Sequence, residues 1–149
     1  MKKQTLLLSL LVLALTLSAC GGTSSEMQTN REKWDAAKVT HYTFELMISC
    51  FCPFTEIMPI AVEVKDGKIV SMTDVNGKAV EGEFAQYIEE AASIERLFAL
   101  AEKNASEAEE IQVTYDAQYG FPAAIKVDFI KMAIDDEISY YVNNFKPLP

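Results

Sequence analysis

Five short segments of this sequence alternate apolar and polar residues, and this period of two limits the folds open to the chain. In Tyr42–Ser49 every second residue is apolar, as expected of a strand that buries one face. The same alternation recurs in Ile60–Val64, Ile111–Tyr115, Ile125–Phe129 and Ile138–Val142, and Ile69–Thr73 is predicted to return as a sixth strand after the turn that follows Ile60–Val64. The chain is therefore predicted to contain six strands, each with one face in the core.

Turn residues separate several of these segments. Asp66-Gly67 is a preferred two-residue hairpin turn, and Asn76-Gly77 marks another turn. Strands joined by short turns pair antiparallel, and a sheet with one polar face needs helices only on its other face. We therefore expect an antiparallel sheet with helices on one side.

Two segments are predicted to be helical. A capping box that begins at Thr29 opens a short helix through about Lys38, and Ser93 opens a second helix that ends near Asn104. The segment between Glu81 and Ala92 is ambiguous. The prediction is an α+β fold with the order helix, three strands, helix, three strands.

The first twenty residues fall into three parts. Two lysines precede the apolar stretch Leu6–Leu17, and small residues follow it. At about 12 residues, this stretch is shorter than the roughly 20 that a membrane-spanning helix needs, which favours a cleaved export signal. Because Leu17-Ser18-Ala19-Cys20 resembles the bacterial lipobox, we expect residues 1–19 to be a lipoprotein signal peptide and Cys20 to carry a diacylglycerol and, usually, a further acyl chain.

A lipid anchor of this kind holds a protein stably at a membrane surface. Residues 20–29 are then the lipidated cysteine and a flexible tether, and residues 30–149 form a single extracytoplasmic α+β domain. The membrane is the cell membrane or, in a cell with two membranes, the outer membrane, because Gly21 is not the aspartate that resembles an inner-membrane retention signal.

The charge of the chain bears on its partners. The formal net charge is −9, and removal of the leader takes away two lysines and no acid, which leaves −11. Such a surface repels nucleic acids and anionic lipid headgroups. We expect no nucleic-acid partner, and a membrane attachment that comes from the lipid.

Cys50 and Cys52 are the two cysteines left after lipidation, and export places them where disulfides persist. In a regular strand, residues two apart are about 6.6 Å apart at Cα, too widely set for an unstrained disulfide. A bulge or turn at Phe51, just before Pro53, would bring the sulfur atoms together. The alternatives are a local disulfide, a pair of buried thiols, or a reactive or metal-binding dithiol.

The sequence offers few residues that could hold a metal ion. Thiolates with Met47, Met58 or Met72 would suit Cu(I), whereas a zinc site lacks ligands because the sole histidine, His41, is interpreted as a surface or packing residue. Asp135-Asp136-Glu137 lacks the spacing of a calcium loop and is interpreted as a solvated turn.

The segment around Gly120-Phe121-Pro122 is interpreted mainly as turn chemistry, with Asp116 as a capping residue and Gly120 at positive φ. Aromatic side chains exposed on such a turn would also suit a binding loop. The binding-loop candidates are Tyr115, Asp116, Tyr119 and Phe121.

Several landmarks together resemble a family of small exported bacterial proteins, many of them lipoproteins, that is known as a domain of unknown function. The landmarks are Trp34, Tyr42-Thr43-Phe44, Cys50-Phe51-Cys52, Leu97-Phe98, Tyr115-Asp116, Gly120-Phe121-Pro122 and Asp135-Asp136-Glu137. The resemblance implies an extracytoplasmic domain and no particular activity.

The sequence favours a non-catalytic binding or interaction domain of the cell envelope. It holds no nucleophile elbow, phosphate loop or paired-histidine motif, so no catalytic residue, metal site or cofactor is predicted. The expected partner, besides the membrane, is an envelope protein or a small ligand, bound at the open sheet face or at the loops around Pro53 and Tyr119. The alternative is a thiol-redox or copper-handling protein that uses Cys50 and Cys52.

Overall fold

The computed structural model describes residues 22–149, with side chains described from Ser25 onward. The predicted leader and Cys20 lie outside the described residues. The described helices are α1 (Gly22–Ala37), α2 (Ala85–Glu89) and α3 (Ile94–Glu107). The strands are β1 (His41–Ser49), β2 (Ile60–Lys65), β3 (Lys68–Thr73), β4 (Glu110–Tyr115), β5 (Pro122–Asp128) and β6 (Ile138–Pro147). The fold is therefore mixed α and β, with more sheet than helix.

The six strands form one antiparallel sheet in the order β3-β2-β1-β6-β5-β4. Strands β1 to β3 form one set of neighbours and β4 to β6 form another, and the two sets meet along β1 and β6, where Leu46 lies opposite Val142. The predicted antiparallel sheet is confirmed. The Asp66-Gly67 turn has positive φ at both residues (50° and 72°), as a tight hairpin requires.

The core lies on the face of the sheet that the alternation predicted. In β1, Tyr42, Phe44, Leu46 and Ile48 are buried, while the residues between them are half-buried on the opposite face. Both main helices contact this buried face at Tyr42. The Trp34 ring of α1 lies edge-on to the Tyr42 ring at 5.5 Å between centroids, and the backbone N–H of Ile94 at the start of α3 donates to the Tyr42 hydroxyl at 3.0 Å.

The predicted order of elements is wrong in the segment that the sequence left ambiguous. Here the chain forms a 3-10 turn, Gly82–Phe84, followed by helix α2, so the described residues hold three helices and not two. The side chain of Ile88 is fully buried and anchors α2. A helix of five residues gives too few positions to show the period of 3.6 in the sequence.

The first helix begins earlier than predicted. It starts at Gly22 and includes residues 22–29 of the segment that was expected to be a flexible tether. Thr29 lies inside this helix, where its hydroxyl donates to the carbonyl oxygen of Ser25 at 2.9 Å, so Thr29 is not the N-cap. The second predicted start is confirmed, because the hydroxyl of Ser93 caps α3 by accepting the N–H of Arg96 at 3.2 Å.

Strand β6 extends five residues beyond its predicted end at Val142. The pairing register between β1 and β6 shifts by one residue beside Phe44, and Asn144 has a φ of 52° there. This bulge returns the next residue, Phe145, to the buried face, where its ring lies 5.9 Å from that of Trp34. The extra residue breaks the alternation that the sequence prediction relied on.

The turn between β4 and β5 packs closely against α1. Gly120 has a φ of 81°, as predicted, and a Cβ atom built there would lie 2.6 Å from the carbonyl oxygen of Asn30. The Lys33 ammonium donates to the carbonyl oxygen of Ala117 in the same turn. Glycine is therefore needed at position 120 both for its backbone conformation and for the close approach of α1.

We predict that Gly120→Ala lowers the free energy of unfolding by about 2 to 3 kcal/mol, because it adds a backbone clash to the strain of positive φ. Gly77→Ala is the matched control, since Gly77 has a φ of 78° and no atom within 4 Å of its built Cβ. Urea unfolding measures both. Equal losses in the two variants would contradict the proposed contact between the turn and α1.

Candidate ligand-binding groove

Two adjoining hollows lie on the helical face of the sheet, at the start of β6. Both are lined by Glu90, Ile138 and Tyr140, so the two hollows adjoin along these residues, and together we call them the groove. The side chains of Ile138 and Tyr140 are only half-buried. Helix α3 lies on one side of them, and α2 with the loop after β1 lies on the other.

The first hollow, which we call the α3 hollow, has a volume of about 510 Å³. The volume falls in the range of small-molecule sites, about 300 to 1,000 Å³. Its floor is apolar. The wall residues from α3 are Arg96, Ala99, Leu100, Lys103 and Asn104, and those from the strand side are Phe129, Ile138 and Tyr140.

Some polar groups of the α3 hollow already have a hydrogen-bond or ion-pair partner in the protein, and others have none. The Asn104 side chain is 6% exposed and has no hydrogen-bond partner within residues 22–149. Lys103 likewise makes no ion pair with any described residue. By contrast, the Arg96 guanidinium donates to the carbonyl oxygen of Glu89 and lies 3.8 Å from its carboxylate. The amide and the ammonium are therefore available to a ligand.

The second hollow, which we call the Phe54 hollow, has a volume of about 680 Å³. The rings of Phe54 and Phe84 lie 5.9 Å apart between centroids, and both line it. Ile48 extends its apolar surface, and its charged lining residues are Glu83 and Glu90. This hollow therefore combines an apolar interior with negative charge.

Tyr140 stands where the two hollows meet. Burial, and to a smaller extent the negative charge of Glu90, raises the pKa of its hydroxyl to about 12. The hydroxyl is therefore protonated at neutral pH, and it makes no hydrogen bond to the part of the chain that the structure describes. It can donate a hydrogen bond to a bound molecule.

The two cysteines lie at the end of β1, beside the groove. The strand ends at Ser49 and the chain bends at Cys50 and Phe51, which brings the Cα atoms of Cys50 and Cys52 to 5.2 Å and their sulfur atoms into close contact. This spacing lies within the usual range for a disulfide. Cys52 lines the Phe54 hollow, whereas the Phe51 ring between the cysteines is 86% exposed.

The two aromatic rings of the predicted binding loop after β4 pack inward. Phe121 is 3% exposed, and half-buried Tyr119 stacks on it at 6.4 Å, so the expectation that both rings are exposed is wrong. Asp116 accepts the N–H groups of Gln118 and Tyr119, as predicted for a turn. These rings are turned inward because they pack on Phe145 of β6, a long-range contact that the local sequence does not reveal.

Tyr115, the remaining candidate, also faces the interior. Its ring stacks on Phe98 of α3 at 6.4 Å between centroids. Its hydroxyl oxygen is buried without a hydrogen-bond partner in the described part of the chain, and burial raises the pKa to about 12. The structure therefore packs this ring against the core, and Tyr115 does not line the groove.

The acidic turn before β6 shows turn chemistry. Asp136 accepts the N–H of Ile130 at 2.7 Å, which ties the ends of the loop between β5 and β6. Burial and the neighbouring carboxylates, led by Asp136, raise the pKa of Asp128. Within the described residues, no three His, Cys, Asp or Glu side chains are grouped closely enough to hold a metal ion.

The open face of the sheet carries a third, shallower hollow of about 240 Å³. Its lining is polar: the amide of Asn144 donates to Glu45 at 2.8 Å. Near it, His41 Nε2 lies 2.8 Å from the carboxylate of Glu63, which places His41 in a surface pair. Because this hollow is small and its carboxylates Glu45 and Glu63 are already paired, this face is the weaker candidate for a ligand site.

Comparison with known proteins adds the family. Residues 26–147 match a family of unknown function, DUF6174. The chain belongs to this family. The resemblance drawn from the landmarks between Trp34 and Phe145 is thereby confirmed as a domain of unknown function. No curated protein and no solved structure matches the chain. Among the described residues, no helix of this DUF6174 chain is long and apolar enough to span a membrane.

Sequence reasoning named the loop around Pro53, which lines the Phe54 hollow of this DUF6174 protein, but it missed the polar groove residues Asn104, Lys103 and Tyr140. Asn104 gave the clearest available signal, since it continues the buried helical spacing of Leu97 and Ala101 but carries a polar amide. Lys103 and Tyr140 gave no such signal, because a lysine on a helix and a tyrosine in a strand are ordinary surface and core residues. Lys103 and Tyr140 become candidates only because the fold brings both of them to the α3 hollow.

We predict that Asp128→Asn stabilises the protein at neutral pH. The pKa of this acid is raised in the folded state, so its ionised form opposes folding above that pKa, and the cost disappears as the pH falls through it. The stability gain of the variant, measured by urea unfolding across pH, should therefore shrink toward acid pH.

The control for this prediction is Asp74→Asn, which should have the opposite sign. Backbone N–H groups of Lys78 and Asn76 lower the pKa of Asp74, so its ionised form favours folding, and that stability is lost as the pH falls. The same pH trend in both variants would show that at least one of the two carboxyl groups does not act as described.

Proposed function

We propose that this protein is a membrane-anchored lipoprotein of the bacterial cell envelope whose domain binds a ligand without catalysis. The observation that carries the proposal is the groove. It joins two hollows of about 510 and 680 Å³ over an apolar floor and offers the unpartnered polar groups of Asn104, Lys103 and Tyr140. An apolar cleft with a few convergent polar groups is the usual form of a small-molecule site.

The anchor part of the proposal rests on the lipobox that ends at Cys20. Helix α1 begins at Gly22, two residues later, so a lipid on Cys20 would hold the folded domain directly against the bilayer. The proposed location is extracytoplasmic, on the cell membrane or the outer membrane. This location gives the groove access to molecules that leave or enter the membrane.

Exposed apolar side chains support a role in interaction. Phe51, Met132 and Ile134 are 86%, 92% and 87% exposed. They lie on the loops after β1 and before β6, at the same end of the sheet, since Ser49 pairs with Ser139 there. Exposed apolar groups on neighbouring loops are typical of surfaces that contact another molecule.

Native mass spectrometry of the protein extracted from its own envelope tests both parts of this proposal. We expect a chain that lacks residues 1–19 and carries the mass of the lipid on Cys20, together with a retained small molecule. Leu100→Trp should lose that molecule, because a larger ring at the wall of the α3 hollow fills the groove.

Val70→Trp is the matched control, since Val70 lies on the edge strand β3, is 56% exposed and does not line the groove. An unmodified terminus would contradict the anchor. A small molecule held equally by the wild type and by both variants, or held by none of them, would contradict binding in the groove.

The second candidate is a thiol-redox or copper-handling function of Cys50 and Cys52. It is favoured by the close contact of the two sulfur atoms at a surface bend, where a disulfide would be open to exchange. Copper would draw further ligands from methionines such as Met47, on the open side of β1, or Met58, which is buried.

Thiol titration and metal analysis of protein prepared without reductant separate this candidate from the first. A redox role predicts that dithiothreitol exposes two titratable thiols under native conditions, and that Cys50→Ser abolishes exchange with glutathione disulfide while leaving the groove ligand bound. A disulfide that resists reduction until the protein unfolds, with no copper bound, would contradict a redox or copper-handling function.

A further inference from the structure

We propose that the groove takes a single-chain amphiphile: a linear hydrocarbon with one carboxylate head, as in a long-chain fatty acid. The inference rests on the proposed ligand-binding function and names the ligand class. The head lies in the α3 hollow at Lys103 and Asn104, and the hydrocarbon chain passes over Ile138 and Tyr140 into the Phe54 hollow.

The charges fix where the head lies. The cations that line the groove are Arg96 and Lys103, both in the α3 hollow, and Arg96 is already bound to Glu89. An ammonium next to an unpartnered amide offers a carboxylate two charge-assisted hydrogen bonds, of which the one from the ammonium is also an ion pair. Asn104 is 6% exposed as a residue and lines the hollow, so its side-chain amide borders the space that the head would occupy and can donate to it.

The other hollow excludes the head and accepts the hydrocarbon chain. The charged groups that line the Phe54 hollow are the carboxyl groups of Glu83 and Glu90, which repel an anion. Its interior is formed by the side chains of Ile48, Phe54 and Phe84. Glu90 also lies at the junction of the hollows, so it disfavours a carboxylate in the middle of the groove and gives the ligand one orientation.

The shape of the groove favours a linear chain over a compact ring system. The hollows meet at Ile138 and Tyr140, so a molecule that fills both must be elongated. The floor strand β6 is paired on both sides, with β1 and with β5. An extended peptide would therefore find no free strand edge for its backbone groups, whereas a hydrocarbon chain needs no such partner.

The charges around the groove favour a head group with a single negative charge. The mature chain carries a formal charge of −11, and the α3 hollow offers one unpaired ammonium. A doubly charged phosphate would meet more repulsion from the domain and fewer donors than it has acceptor oxygens. A singly charged carboxylate matches the groups present.

The test uses the mature protein in membranes from its own cell and a long-chain fatty acid that bears a photoreactive diazirine near its tail. After illumination, peptide mapping should place the crosslinks in the segments that line the groove, 48–54, 83–104 and 129–140. Competition with the unlabelled fatty acid should remove them, while the alcohol of the same chain length should compete much less.

Lys103→Met should reduce the crosslinking yield by up to about fivefold, the largest loss expected for one exposed ion pair. Lys126→Met is the matched control, since Lys126 is exposed on β5 and does not line the groove. An unchanged yield in Lys103→Met, equal competition by the alcohol, or crosslinks elsewhere on the domain would overturn the inference.

These failures are distinct from failure of the proposed function. If Leu100→Trp releases the small molecule retained by the native protein but the fatty acid does not crosslink in the groove, the ligand class is wrong and the binding role stands. If neither the fatty acid nor any native molecule is bound in the groove, both proposals fail.

Discussion

The hydroxyl of Tyr42 lies at the point where strand β1 and the helices α1 and α3 are joined, and the rest of the fold depends on this junction. It accepts the N–H of Ile94 at the start of α3 and donates to the carboxylate of Glu95 at 3.1 Å, and Glu95 also accepts from the indole N–H of Trp34 in α1 at 3.3 Å. Burial raises the pKa of the Tyr42 hydroxyl well above its usual value, so the hydroxyl remains protonated at neutral pH. One polar network in the core therefore fixes both helices against β1, and its partners are costly to leave unpaired.

The position of α3 explains why the groove exists. Its first residue is held at Tyr42 and its buried face packs on β4 and β5, where Phe98 meets Tyr115. The short helix α2 covers the neighbouring part of the core through Ile88. Between the two, the start of β6 remains half-covered, and Ile138 and Tyr140 become the floor of a cleft. The cleft is thus a consequence of how two helices of unequal length share one face of the sheet.

Much of the fold followed from local sequence signals. The alternation in β1, the Asp66-Gly67 turn and the cap at Ser93 each act within a few residues, and each is present in the structure. The helix α2 and the bulge at Asn144 were missed, because five helical residues and one inserted residue leave no period to detect. The groove was missed for a different reason, since its residues come from segments spread between Ile48 and Tyr140.

The sequence by itself determined which residues alternate, where the hairpin turns tightly, where α3 begins and which family the chain belongs to, because these depend on neighbours along the chain. Only the tertiary structure decided that Phe121 packs inside and that Asn104 faces a hollow without a partner. Burial and pairing of a side chain depend on elements brought together from distant parts of the sequence, and no local period encodes those contacts.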